Sequence, residues 1–124
     1  MSFHALDALT PAAVKALAQA CQALITAEGQ IEASPQESAQ LTALFPLLVG
    51  AAWPDDVEQR IPIGLSGLIT QRRQRQQVMQ LLTLLAFLEP QLETQKVVVL
   101  QRLAEELSIE AEVVQDLEEV CRGH

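Results

Sequence analysis

Val78-Met79-Gln80-Leu81-Leu82-Thr83-Leu84-Leu85-Ala86-Phe87-Leu88, closed by Glu89-Pro90-Gln91-Leu92-Glu93, is the stretch whose reading decides the fold. Its apolar residues fall on nearly every side of a helical wheel, which predicts a helix buried all round. The chain makes the same move earlier: Leu17 to Ala27 is apolar, and Glu28-Gly29-Gln30-Ile31-Glu32 follows. Each copy is an apolar helix that stops at Glu-(Gly or Pro)-Gln-(Ile or Leu)-Glu. The repetition predicts two helix–acidic turn–helix units related by an approximate two-fold, with residues 78–88 in the middle.

Outward from that run, the other elements follow from their punctuation. Thr10-Pro11 reads as an N-cap and a first-position proline. Val14, Leu17, Ala18, Cys21, Leu24 and Ile25 then form one apolar stripe, predicting a helix over 11–26. Ile31 is expected to plug the first turn into the core. Ser34-Pro35-Gln36-Glu37 is a capping box and starts a second helix with Leu41, Leu44, Phe45 and Leu48 facing inward. Pro46 lacks the donor that would reach Thr42 and is expected to end or kink that helix.

Trp53-Pro54-Asp55-Asp56 reads as a turn, after which Asp55 and Glu58 restart a helix. Ile61-Pro62-Ile63-Gly64-Leu65-Ser66-Gly67 reads as a broken helix or loop packed by Ile61, Ile63 and Leu65. Gln71 to Gln77 should project into water before the buried run begins. After Glu93, the branched residues near Val97 are compatible with a strand, but the spacing of Leu103, Ala104 and Leu107 decides for a helix. Ser108 is expected to cap a last helix lined by Ile109, Val113, Val114, Leu117, Val120 and Cys121. The expectation is an all-α bundle of six or seven helices in a single domain, with residues 1–9 loosely held.

Composition agrees with that class. Of 124 residues, 49% are apolar and 3% aromatic, with no tyrosine, so Leu, Ala and Val must build the core. No apolar run reaches the ~20 residues of a membrane span, and the N-terminus shows no signal pattern. A cytoplasmic location is the expectation. The net charge of −8 argues against nucleic acid as a partner. The charge is segregated: Arg60, Arg72, Arg73 and Arg75 occupy an acid-free stretch, while acids crowd residues 105–119. Arg72, Arg73 and Arg75 are therefore candidate contacts for an acidic protein partner, or for the acidic end of a second copy in a homodimer.

Catalytic chemistry finds few ingredients. Both histidines lie at the chain ends, and no Gly-rich phosphate loop or nucleophile–base pattern is present. Carboxylates are the exception, because each acidic turn puts Glu at the negative pole of a helix, where a hard cation such as Ca²⁺ or Mg²⁺ would offset the local repulsion. The pattern is not an EF-hand: with Gly29 as sixth position, Leu24, Thr26 and Pro35 fall where ligands belong.

Ala27-Glu28-Gly29-Gln30-Ile31-Glu32 with Glu37, and Leu88-Glu89-Pro90-Gln91-Leu92-Glu93 leading to Leu103-Ala104-Glu105-Glu106-Leu107-Ser108-Ile109, resemble the tellurite-resistance TerB-like domain family over about residues 10–120. The resemblance implies an all-helical, internally pseudo-symmetric fold and a role in resistance to tellurite or other chemical stress. It also implies a divalent-metal cluster mapping onto Glu28, Glu32, Glu37, Glu89 and Glu93. This chain departs from the family pattern by having Glu for Asp in both turns, Pro90 for the second glycine, and no acid in Thr94-Gln95-Lys96 to match Glu37. The resulting expectation is a non-catalytic interaction or stress-response module. A divalent-cation binder is the alternative, and a hydrolase with a carboxylate-held metal a distant third.

Overall fold

A computed structural model of the chain describes residues 6, 8–27, 35–54, 57–58, 60–86 and 94–109, and among these there are helices and no strand. The protein is all-α. In chain order the helices are α1 (Pro11–Ile25), α2 (Pro35–Val49), the single turn α3 (Leu65–Leu68), α4 (Arg72–Ala86) and α5 (Thr94–Glu106).

Helix α1 begins as its sequence dictates. The Thr10 hydroxyl accepts from the Ala13 amide at 3.2 Å, and Pro11 sits where no donor is needed. Its small residues Ala13, Ala16, Ala18, Ala20 and Ala23 are all buried alongside Leu17, Cys21 and Leu24. Short side chains let other helices approach closely, and α1 packs against α2, α3, α4 and α5 alike. The centre of the bundle is therefore α1, and α4 lies beside it. In α4, Val78, Met79, Leu81, Leu82, Thr83, Leu85 and Ala86 are buried, while Leu84 reaches the surface and Gln80 is half-buried. The run is buried on all sides but one. Its last two residues, Phe87 and Leu88, lie outside the described ones.

Residues that looked solvated prove to belong inside. Gln74 and Gln77 are buried because they continue, one turn at a time, the row of Val78, Leu81 and Leu85. Leu6 is fully buried, so the segment ahead of α1 contributes a core residue although it shows no period. Thr83 satisfies its buried hydroxyl by donating to the Met79 carbonyl at 2.7 Å.

In α2 the inward row is Glu37, Leu41, Phe45 and Val49, and Leu44 is exposed. The helix runs through Pro46 to Val49. The proline lies on the outer side, and the Thr42 residue whose carbonyl loses its donor is also exposed, so water can serve that oxygen. Past the helix, Trp53 closes on Phe45 edge-to-face, with ring centroids 5.0 Å apart and planes at 86°. Val57, Glu58 and Arg60 are not helical, so the helix expected from Asp55 and Glu58 does not form at these positions. Gln19 Nε2 instead ties that connection to α1 by donating to the Arg60 carbonyl at 2.9 Å.

Ser108 does not act as the expected N-cap. Its φ of 57° is left-handed, its amide donates to Glu105 O at 3.0 Å, and the Ile109 amide donates to Ala104 O at 2.9 Å. That pair of bonds ends α5 in a Schellman motif. The helix expected beyond it lies outside the described residues, as does the Ile31 plug.

Candidate functional site

Sequence reasoning placed the candidate site on five glutamates. Glu28, Glu32, Glu89 and Glu93 lie outside the described residues. Glu37 is described, and its surroundings are unexpected. It sits in the first turn of α2, and its Oε2 accepts from Lys96 Nζ at 2.7 Å. Lys96 occupies the equivalent first turn of α5. Their side chains are only 7% and 2% exposed, respectively.

Both residues fall in register with their helices' buried rows. Glu37 is followed at four-residue steps by Leu41, Phe45 and Val49. Lys96 is followed at helical spacing by Val99, Leu100, Leu103, Ala104 and Leu107, all buried. Packing those rows inward drags the two charged groups in together, and they neutralise each other. Glu37 suits the positive pole of its helix, whereas Lys96 opposes the pole it sits on. The pair clamps the start of α2 to the start of α5.

This geometry bears on the cation that the acidic turns suggested. A divalent ion drawing on Glu37 would have to displace an ammonium already at hydrogen-bond distance and would then face that charge unscreened. Glu37 as held here therefore does not fit a metal ligand. Among the described residues, no three His, Cys, Asp or Glu side chains come together in a way that could hold a metal ion.

The three candidate arginines divide into two kinds. Arg75 braces the fold: its Nε donates to Ile69 O and one terminal nitrogen to Ser66 O, each at 2.7 Å. These are carbonyls at the end of α3, so the guanidinium caps that short helix. Arg72 and Arg73 are exposed at the start of α4, and their side chains make no hydrogen bond or ion pair with the described residues. Just ahead of them, Ile63 is 92% exposed and Leu68 partly so, whereas Ile61, Leu65 and Ile69 are buried. The turn that presents Ile63 is held firmly. Gly64 takes a left-handed φ of 74°, its carbonyl accepts from Gly67 N at 3.0 Å, and its amide donates to Glu106 Oε1 at 3.0 Å.

A second exposed apolar position lies on α2, where Leu47 is 80% exposed beside Leu44. Neither Leu47 nor Ile63 stands out in the sequence, since each sits within a locally apolar stretch that reads as core. Cys21 is the opposite case: it is fully buried, and desolvation pushes its thiol up to about 12. That keeps it protonated and unreactive at neutral pH. No helix among the described residues is long and apolar enough to cross a membrane.

Comparison with known proteins returns no matching family model, no matching curated protein and no matching solved structure.

Proposed function

We propose that this chain is a non-catalytic interaction module of the TerB-like kind, working in the cytoplasm in the response to tellurite or related chemical stress. The observation that carries the reading is the outer side of α2. Leu47 stands 80% exposed with Leu44 beside it, on a helix that, among the described residues, packs mainly against α1. Large aliphatic side chains held in water on a regular helix are the raw material of a protein contact. The absence of catalysis is part of the proposal, supported by the protonated, buried Cys21 and by a neutralised Glu37.

The test is a photo-crosslinking amino acid at position 47 in the native host. A discrete adduct that disappears with Leu44→Asp supports the module. No adduct at position 47, under tellurite stress or without it, rejects it.

The second reading is a divalent-cation protein using Glu28, Glu32, Glu89 and Glu93, with Glu37 adjacent, related by an internal two-fold. It has one observation in its favour. The Glu37–Lys96 pair brings together the starts of α2 and α5, the helices that the two acidic turns lead into. Against it, Lys96 already supplies positive charge there, and α5 packs on α1 with no comparable packing of α2 on α4. A thermal melt in Ca²⁺, Mg²⁺, Mn²⁺ or chelator decides. A site held at 100 times its dissociation constant stabilises by about 2.7 kcal/mol. No shift, or a shift unchanged in Glu28→Gln with Glu89→Gln, removes this reading.

A further inference from the structure

We infer that the buried Glu37–Lys96 pair sets the roll of α2 about its own axis, and so keeps Leu44 on the outer side of the helix near Leu47. The purpose of that setting rests on the interaction-module reading: the pair is what presents the module's surface.

Little else in α2 tells one side of the helix from another. Glu37 is its only charged residue, and no other follows before Asp55. Apolar side chains lie all round: Leu41, Phe45 and Val49 are buried, while Ala39, Ala43, Leu44, Pro46 and Leu47 are exposed. A helix with its polar and apolar residues sorted to opposite faces is oriented by that contrast. In α2 the contrast is weak, because turning the helix exchanges one apolar residue for another.

Nor does α2 sit on its own best apolar stripe. The period of its sequence centres on Leu41, Leu44, Phe45 and Leu48. The buried row is instead Glu37, Leu41, Phe45 and Val49, with Leu44 38% exposed and Leu48 half-buried. Successive residues stand about 100° apart around a helix, so the two arcs are centred roughly 30° from one another. Two leucines carry more apolar area than one valine, so removal of area from water favours the arc that is not used.

The ion pair outweighs that preference. Glu37 stands at the edge of the observed arc, where its Oε2 accepts from Lys96 Nζ at 2.7 Å. This is the short end of a charge-assisted hydrogen bond, with no slack to follow a rotation. Rolling α2 onto its leucine stripe would carry Glu37 toward the middle of the inward arc, displacing it from an ammonium whose place is fixed by the buried row of α5. Buried ions are held only at good geometry, and a pair of this kind can select one packing among several. Without its charges, α2 turns Leu44 inward and Val49 outward. Leu47 lies outside both arcs and stays exposed.

Thiol-labelling rates of single cysteines test this. Leu44→Cys, Leu47→Cys and Val49→Cys are made in the full chain with Cys121→Ser, where Cys21 is buried and protonated. Each is compared with the pair intact and with Glu37→Leu plus Lys96→Met. A buried thiol reacts only through local opening, so in the uncharged background position 44 should slow about tenfold and position 49 speed up about tenfold, with position 47 unchanged. Should that background lack a helical circular dichroism spectrum, Glu37→Gln with Lys96→Gln removes both charges and is read in the same way. Unchanged rates at 44 and 49 overturn the inference. So do three rates that rise together, which is what loosening of a helix that the pair merely clamps would give. The crosslink at position 47 succeeds or fails independently, since that residue faces water in both settings.

Discussion

Removing either member of the Glu37–Lys96 pair should be among the most damaging single changes in the protein. Lys96→Met keeps the volume of the stem and removes the charge, leaving a carboxylate only 7% exposed without its ammonium at 2.7 Å. Breaking a buried pair from one side costs about 3–5 kcal/mol. For a chain between the size classes where 1 kcal/mol moves the midpoint by about 4–8 °C and about 2–4 °C, that loss lowers Tm by roughly 10–20 °C. The two single variants should not be equal. Lys96→Met also relieves a cation at the positive pole of α5, a gain of about 0.3–1 kcal/mol, whereas Glu37→Gln loses a favourable term of the same size at α2. Glu37→Gln should therefore be the worse of the two. Replacing both with apolar residues, Glu37→Leu with Lys96→Met, should recover most of the loss, because the desolvation penalty of both ions disappears together. Urea denaturation of the four proteins as a double-mutant cycle reads these values and the coupling directly. A loss under about 1 kcal/mol for both singles, the range of exposed ion pairs, would refute the claim that the pair is buried and holds α2 to α5.

Four further outcomes follow from other sites. In a Cys121→Ser background, Cys21 should resist thiol reagents at pH 8 until the protein is denatured; labelling of the native protein at the rate of a free thiol would contradict its burial. The same group makes stability pH-dependent: its folded value, near 12, lies above its unfolded one, so its contribution is complete below about pH 9 and is lost above that at up to about 1.4 kcal/mol per pH unit. Cys21→Ala should flatten that alkaline slope in denaturant titrations. Ser108→Gly should stabilise by about 1 kcal/mol in urea, since the left-handed φ of 57° carries a penalty that glycine does not have; a loss would show that the hydroxyl matters. Arg75→Ala should cost about 1.5–3 kcal/mol and speed hydrogen exchange around α3, where two carbonyls lose their donor.

The starts of α1 and α2 were legible because capping chemistry is local, whereas the central helix, expected from about Ser66 or Thr70, begins only at Arg72, after the separate turn α3. Thr10-Pro11 and Ser34-Pro35 mark the first residues of α1 and α2, and the apolar period carries the rest. What the sequence misled on was decided by the third dimension. Pro46 was expected to end or kink α2; it does not end it, because a proline on an exposed side leaves only a solvated carbonyl behind. Gln74 and Gln77 look solvated by type and are buried by register. Ile63 looks like core and is the most exposed large apolar residue described. The Glu37–Lys96 contact left a trace that type-based reading passes over, because each charged residue stands in the periodic row of its helix's buried side chains. Which acid meets which base cannot be read from two rows taken singly. It depends on α2 and α5 being brought together at their starts.

The position of α1 also sets a timing problem for the living cell. This helix leaves the ribosome before α2 to α5, yet most of what covers its alanine-lined sides belongs to α4 and α5, which end at Ala86 and Glu106. At synthesis rates of about 5–20 residues per second, its apolar sides wait roughly 4–16 s for the last of those helices to be made. During that interval the nascent chain is exposed to aggregation and to chaperone capture at Leu17, Leu24 and Ile25, long before a native core can form.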